Sequence, residues 1–186
     1  MIVTGIGSRP KNLPKDANEA GIVPWLIEIV NEIGRVAKLN NWTLRSGAAD
    51  GMDTLFEDAW GDCKEIYLPY ESFNRRTPGV RGAIYVEDPM LIAGAQSIAS
   101  KVHPVWKKLD KRAKEMHTRN VFQALGESLM EPSDICIYYA PVGRDGEVEG
   151  GTRTAVVICN NYGIPTYNLR NTDDVTRLRQ FLTAWS

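Results

Sequence analysis

Ser46-Gly47-Ala48-Ala49-Asp50-Gly51-Met52-Asp53 is the stretch of this chain that decides its fold. It follows an apolar run at 42–44 that is typical of a strand, and it leads into a helical pattern at 51–63. A strand, a glycine loop and a helix in that order place backbone N–H groups at a helix N-terminus, where they can bind phosphate. Asp53 falls in the first helical turn, where a carboxylate stabilises the helix dipole or hydrogen-bonds a ribose hydroxyl.

A second glycine turn, Glu149-Gly150-Gly151-Thr152, stands later in the chain in the same kind of context. It lies between a predicted strand at 134–139 and a predicted helix at 152–162, with Thr152 expected to cap that helix. This turn therefore predicts a second phosphate-binding site at a strand end.

A third turn, Gly7-Ser8-Arg9, ends the first predicted strand at 2–6. Its hydroxyl and guanidinium are groups that bind phosphate well. In parallel α/β sheets, ligands bind beyond the carboxyl ends of the strands, near the switch point in strand order. The three turns therefore predict one cleft for a phosphorylated ligand.

The rest of the chain alternates strand and helix patterns, with a change of character at 70–88. That segment is polar, basic and turn-rich, so we expect a long loop there, within an insertion at about 70–105. The alternation predicts a single Rossmann-like α/β domain over 1–186, with a mainly parallel sheet and helices on both faces. The remaining predicted elements are helices at 22–39, 89–102 and 104–127, a closing helix from Thr172-Asp173-Asp174, and strands at 66–68 and 165–169.

Composition narrows the classes of function. The net charge of −1 gives no global basic field for nucleic acid, although a local patch would suffice. No stretch has the length of a membrane span or a signal segment, so we expect a cytoplasmic protein without a membrane partner. The three cysteines lack a C-x-x-C pair, which favours reduced thiols and no metal site. We expect no cofactor.

Taken in order, these motifs resemble the SLOG superfamily of Rossmann-like proteins, which includes the DNA-processing protein A family and the LONELY GUY-type proteins. The stretch 46–53 is similar to the S-G-x-A-x-G-I-D loop of DNA-processing protein A. Arg119-Asn120 is similar to that family's arginine–asparagine pair, and Met116-His117-Thr118-Arg119 is similar to the M-H-x-R motif of LONELY GUY enzymes. The resemblance covers 2–169 and implies a nucleotide-type ligand and a homo-oligomer. His117 taken alone is typical of a surface histidine.

The second glycine turn differs from the corresponding motif of the LONELY GUY enzymes. LONELY GUY enzymes cleave the N-glycosidic bond of nucleoside monophosphates with the M-H-x-R arginine and a glutamate in P-G-G-x-G-T-x-x-E. Here Ala155 stands three residues after Thr152, so that glutamate is absent. If the chain is an enzyme, Arg119 and Glu149 are its candidate catalytic residues.

The sequence thus leads to one expected function and two alternatives. We expect a cleft that binds a nucleotide or an ADP-ribose-like ligand. The alternatives are hydrolysis of a nucleotide N-glycosidic bond, and binding of single-stranded DNA through a local patch of basic residues at 75–81 and 107–119. The candidate ligand-binding residues are Gly7, Ser8, Arg9, Ser46, Gly47, Gly51, Asp53, Arg119, Gly150, Gly151 and Thr152.

Overall fold

A computed structural model describes residues 1–9 and 24–186 of the chain. The strands are β1 (Ile2–Gly7), β2 (Thr43–Ser46), β3 (Lys64–Tyr67), β4 (Ala83–Ile84), β5 (Ile135–Tyr139) and β6 (Thr166–Asn168). The α-helices are α1 (Pro24–Leu39), α2 (Met52–Trp60), α3 (Pro89–Val102), α4 (Lys111–Leu125), α5 (Thr152–Asn161) and α6 (Thr172–Thr183).

The six strands form one parallel sheet in the order β4-β3-β2-β1-β5-β6. The chain first builds outward from β1 through β2 and β3, and later returns to add β5 on the other side of β1. In the register of the central pair, Gly7 lies opposite Tyr139. The switch point in strand order therefore falls between the carboxyl ends of β1 and β5, where α/β sheets bind ligands.

Two apolar cores lie on the two faces of the sheet, and β5 contributes to both. Successive side chains of a strand point to opposite faces. Accordingly Ile135, Ile137 and Tyr139 join one core, while Cys136 and Tyr138 join the other. Residues of α1, α2 and α6 complete the first core, and residues of α3, α4 and α5 complete the second. The predicted α/β fold, with a parallel sheet and helices on both faces, is confirmed.

The predicted helix at 104–127 is wrong in its first part. A short 3₁₀ turn occupies Trp106–Lys108, and α4 begins only at Lys111. The Asp110 carboxylate caps α4 by accepting a hydrogen bond of 2.8 Å from the Ala113 N–H. Gly126, with a φ of +73°, then ends the helix at Leu125. The cap at Asp110 therefore sets the start of α4, although the helical pattern of the sequence begins before it.

Other boundaries differ by shorter distances. The predicted loop at 70–88 contains a 3₁₀ turn at Phe73–Arg75 and the two-residue strand β4, which is too short to show a period in sequence. The predicted helix at 22–39 is seen from Pro24, and positions 22–23 lie outside the described residues. Within the described parts of the chain, no helix is both long and apolar enough to cross a membrane.

Candidate functional site

A cleft of about 660 Å³ opens at the carboxyl edge of the sheet. Its volume is within the usual range for small-molecule sites, roughly 300–1,000 Å³. The turn after β1, the first half of α4 and the second glycine loop all contribute to its lining. The lining includes these predicted site residues: Gly7, Ser8, Arg9, Asp53, Arg119, Glu149, Gly150, Gly151 and Thr152.

Three predicted site residues, Ser46, Gly47 and Gly51, do not line the cleft but support its floor. The Ser46 hydroxyl is fully buried and donates a hydrogen bond of 2.6 Å to the Gly5 carbonyl. Gly51 precedes α2 with a φ of +100°, a conformation that favours glycine. Gly47 lies directly beneath Arg119, since an added Cβ would come within 1.2 Å of the Arg119 Nη1 atom.

Arg119 and Asp53 form a buried ion pair under the cleft. The Arg119 Nη1 atom lies 3.2 Å from Asp53 Oδ2, and both side chains are 5% exposed. Nη1 also donates to the Gly47 carbonyl. The Asp53 carboxylate accepts further bonds from the backbone N–H groups of Gly7 (3.3 Å) and Ala49 (3.4 Å). The pair therefore ties α4 to the turn after β1 and to the first glycine loop.

The ionisation of this pair is set by burial. Burial raises the pKa of Asp53, and the opposing charge of Arg119 and the two N–H donors only partly offset this. Burial likewise lowers the pKa of Arg119, while Asp53 acts in the opposite direction. A guanidinium stays charged in proteins, so Arg119 keeps its positive charge at neutral pH.

Arg119 Nε and Gln123 Nε2 are buried nitrogens that find no hydrogen-bond partner among the residues described. The two side chains stand one helical turn apart on α4, and both line the cleft. An unpaired buried polar atom in a native structure calls for an explanation, such as a bound water, ion or ligand. Because both atoms are N–H donors, the group that would satisfy them is an acceptor. Sequence reasoning missed Gln123; its spacing from Arg119 was the only signal.

The second glycine loop is attached to α4. The Asn120 Nδ2 atom donates a hydrogen bond of 2.9 Å to the Gly151 carbonyl. Thr152 is the first residue of α5 and does not cap it; Gly151 holds the cap position, without a side-chain hydrogen bond. The N–H groups at 150–152 donate to no residue in the described ranges 1–9 and 24–186. These N–H groups remain available at the positive end of the α5 dipole.

The turn after β1 contributes differently from what the sequence predicts. The Gly7 N–H is bound to Asp53, and the Ser8 N–H donates a hydrogen bond of 2.8 Å to the Tyr139 carbonyl. The N–H groups of Gly7 and Ser8 are therefore already bound, whereas the Ser8 hydroxyl and the Arg9 guanidinium belong to residues that line the cleft. A Cβ on Gly7 would lie 2.6 Å from Met52 Cγ, so glycine here permits close packing on α2.

His117, which the sequence alone suggests is a surface histidine, is half-buried in the wall of the cleft. Its Nδ1 atom lies 2.8 Å from the Thr154 hydroxyl, and its ring centroid is 4.2 Å from that of His103. Burial lowers the pKa of His117 to about 4, helped by the charges of His103 and Arg119. The imidazole is therefore neutral at pH 7.

This low pKa predicts a pH-dependent stability. Between pH 6.5, the ordinary His pKa, and about pH 4, the unfolded chain binds a proton at His117 that the folded chain excludes. Stability is therefore complete above pH 6.5 and falls on acidification, by about 1–2 kcal/mol after solvent screening. Urea unfolding of the wild type and His117→Asn across this range measures the difference. An NMR titration of His117 with a midpoint near 6.5 would contradict the assignment.

Several lining residues come from segments whose boundaries the sequence pattern misplaced. Asp110 and Arg112 lie at the true start of α4, and Tyr70 and Phe73 lie in the predicted loop. None carries a recognisable motif. Their role follows from the fold, which brings the loop after β3 opposite the N-terminus of α4.

The enzymatic alternative stays a prediction. Ala155, which stands where the look-alike enzymes have glutamate, is fully buried. Glu149, the candidate catalytic carboxylate, lines the cleft, as does Asp53. Among the described residues, no group of three or more His, Cys, Asp or Glu side chains is arranged to hold a metal ion.

No protein-family model matches the chain, and no curated protein sequence matches it. Among solved structures, it is similar to that of DNA processing protein A from Helicobacter pylori, a structure that concerns the single-stranded DNA binding mode of that protein. The TM-score is 0.56 at 15% identity, and the match covers 100% of this chain and 74% of the other. The chain therefore shares the Rossmann-like fold of that DNA processing protein A.

Proposed function

We propose that the cleft binds a nucleotide or an ADP-ribose-like ligand, with a phosphate group between Arg119 and the second glycine loop. The observation that carries this proposal is the pair of buried, unpartnered donors, Arg119 Nε and Gln123 Nε2. The loop at 150–152, which also lines the cleft, offers N–H groups at a helix N-terminus. Donors from α4 and from this loop together match the several acceptor oxygens of a phosphate.

The orientation of N–H donors toward the ligand, rather than the net charge of the lining, would give this site its affinity. The charged side chains of the described lining balance one another: Arg9, Arg112 and Arg119 against Asp53, Asp110 and Glu149. The Asp53 carboxylate is paired with Arg119, and the Asp110 carboxylate accepts the capping hydrogen bond of α4. The negative charge of each is therefore partly engaged by the protein rather than facing the cleft alone. A phosphate would then be recognised by N–H donors held in fixed positions, because hydrogen bonds to a charged acceptor are strong.

A thermal-shift screen of nucleoside mono-, di- and triphosphates and ADP-ribose tests the proposal. A ligand present at about 100 times its Kd stabilises the folded state by roughly 2.7 kcal/mol, which raises the Tm by about 5–10 °C for a domain of this size. The shift should disappear in Arg119→Lys, which lacks Nε and the planar fork. It should persist in Arg179→Gln, a matched control in an exposed ion pair on α6. Absence of a shift with every ligand at millimolar concentration would refute the proposal.

Binding of single-stranded DNA is the second candidate function. The structural neighbour binds single-stranded DNA. Here Lys107, Lys108 and Lys111 are exposed just before and at the start of α4. Arg112, the next residue of α4, lines the cleft together with Tyr70. Basic side chains next to aromatic rings are the usual components of a single-strand site. Fluorescence anisotropy with a labelled oligonucleotide should show an affinity that falls by about ten-fold or more between low and high salt. No binding at low salt would exclude this function.

The proposed homo-oligomer is tested separately by sedimentation velocity. A dimer mass at micromolar concentration would support it, and a monomer mass throughout would oppose it.

A further inference from the structure

Two aromatic rings stand at the rim of the cleft. Tyr70 and Phe73 both line the cavity, and their rings meet edge to face with centroids 5.3 Å apart at 85°. They belong to the segment 70–76, which we call the aromatic loop and which follows β3. Aromatic rings at a ligand site offer flat faces on which another ring system can stack.

The aromatic loop is fixed to the body of the protein by side-chain bonds at its second half. The Asn74 Nδ2 atom donates to the Ala48 carbonyl at 2.9 Å and to Asp50 Oδ1 at 2.8 Å. The Arg76 guanidinium makes a bidentate pair with Glu57, at 2.7 and 2.8 Å, and the Glu57 side chain is 3% exposed. These contacts join the loop to the first glycine loop and to α2.

The backbone of the aromatic loop is held in an uncommon conformation. Ser72, Asn74 and Arg75 have φ values of 61°, 50° and 60°, in the left-handed region that non-glycine residues seldom adopt. Such conformations persist where the surrounding contacts fix them, and they concentrate at ligand clamps. The loop therefore presents Tyr70 and Phe73 in a preorganised arrangement, which lowers the entropy lost on binding.

A cation covers the face of the Tyr70 ring. The Arg112 Cζ atom lies 4.0 Å from the ring centroid, and the Arg112 side chain is 67% exposed. Its partner is Glu115, 3.0 Å away on the same helix. An exposed cation–π contact is weaker than a nucleic-acid base stacked on an aromatic ring, so a base can take this place. The flexible Arg112 can then stack on the outer face of the base.

From these contacts we infer that the ligand's base stacks on the Tyr70 ring, which we call the base site, and that Arg112 stacks on the outer face of the base. This inference rests on the proposed nucleotide binding and deepens it, because it assigns the two ends of the cleft. The phosphate lies at Arg119 and the second glycine loop, and the base lies at the rim. A ligand that carries both a base and a phosphate satisfies both ends, whereas a sugar phosphate without a base leaves the Tyr70 face unused.

Calorimetric titration of two probes separates the two ends. A nucleoside monophosphate found in the thermal-shift screen is compared with ribose 5-phosphate, which lacks a base. Tyr70→Ala should weaken the nucleotide by about ten-fold or more and leave ribose 5-phosphate unchanged. Arg112→Ala should weaken the nucleotide alone by a smaller factor. Tyr162→Ala removes an exposed tyrosine at the far end of α5 and should change neither affinity.

The outcomes distinguish this inference from the proposal on which it rests. If the wild type binds the nucleotide but Tyr70→Ala weakens both probes equally, or neither, the base site at Tyr70 is refuted and nucleotide binding stands. If the wild type binds neither probe, nucleotide binding itself is refuted, and the base site at Tyr70 is refuted with it. Binding of an oligonucleotide without binding of any mononucleotide would also overturn the inference.

Discussion

Asp53→Ala is expected to lower the free energy of unfolding by about 3–5 kcal/mol at pH 7. The substitution leaves the Arg119 guanidinium buried without its carboxylate, and it removes the acceptor for the Gly7 and Ala49 N–H groups. A buried charge without a counter-charge is among the most destabilising changes in a protein. Urea unfolding followed by circular dichroism measures the loss.

Two further variants test the cause of this loss. Glu32→Ala breaks the exposed pair with Arg179 and should cost less than about 1 kcal/mol. The double variant Asp53→Ala/Arg119→Met removes both buried charges and should recover part of the stability lost in the single variant. A loss below about 1 kcal/mol in Asp53→Ala would show that the pair does not organise the floor of the cleft.

Gly47→Ala is expected to abolish nucleotide binding through one methyl group. The new Cβ would lie 1.2 Å from Arg119 Nη1 and 2.8 Å from Gln123 Nε2, so both side chains must leave their positions. Displacement of Arg119 also breaks its bonds to Asp53 and the Gly47 carbonyl, with a stability loss of about 2–4 kcal/mol. Calorimetry should show at least a hundred-fold weaker nucleotide affinity, and thermal unfolding a lower Tm.

A second glycine provides the stability control. Gly151 has a φ of −63°, and a Cβ there would meet nothing within 4 Å. Gly151→Ala should therefore fold with unchanged or slightly higher stability, because alanine reduces the entropy of the unfolded chain. Equal stability of Gly47→Ala and Gly151→Ala would contradict the position assigned to Arg119.

The sheet and its helices were predictable because their signals are local. The apolar spacing of α1 and the strand–loop–helix order around Gly47 needed only a short window of sequence. The boundaries failed where one residue outweighed the pattern. Asp110 caps α4 and cuts the predicted helix at 104–127, and β4 is too short to show a period.

The cleft was predictable in part, through its glycine turns and Arg119. Its other walls depend on contacts between residues far apart in sequence. Gln123 becomes notable only when the fold buries its Nε2 atom without a partner. The face of Tyr70 meets Arg112 only because the loop after β3 lies against the start of α4. Such contacts leave no periodic trace in the sequence, and the uncommon backbone of the aromatic loop leaves none either.

The most direct test of the central claim is a crystal structure with a nucleoside monophosphate bound. We predict phosphate oxygens within hydrogen-bond distance of the Arg119 guanidinium and of the N–H groups at 150–152, with the base on Tyr70. The Arg119–Asp53 pair should remain intact beneath the ligand. A nucleotide bound elsewhere on the protein, or an empty cleft at saturating nucleotide, would contradict the account.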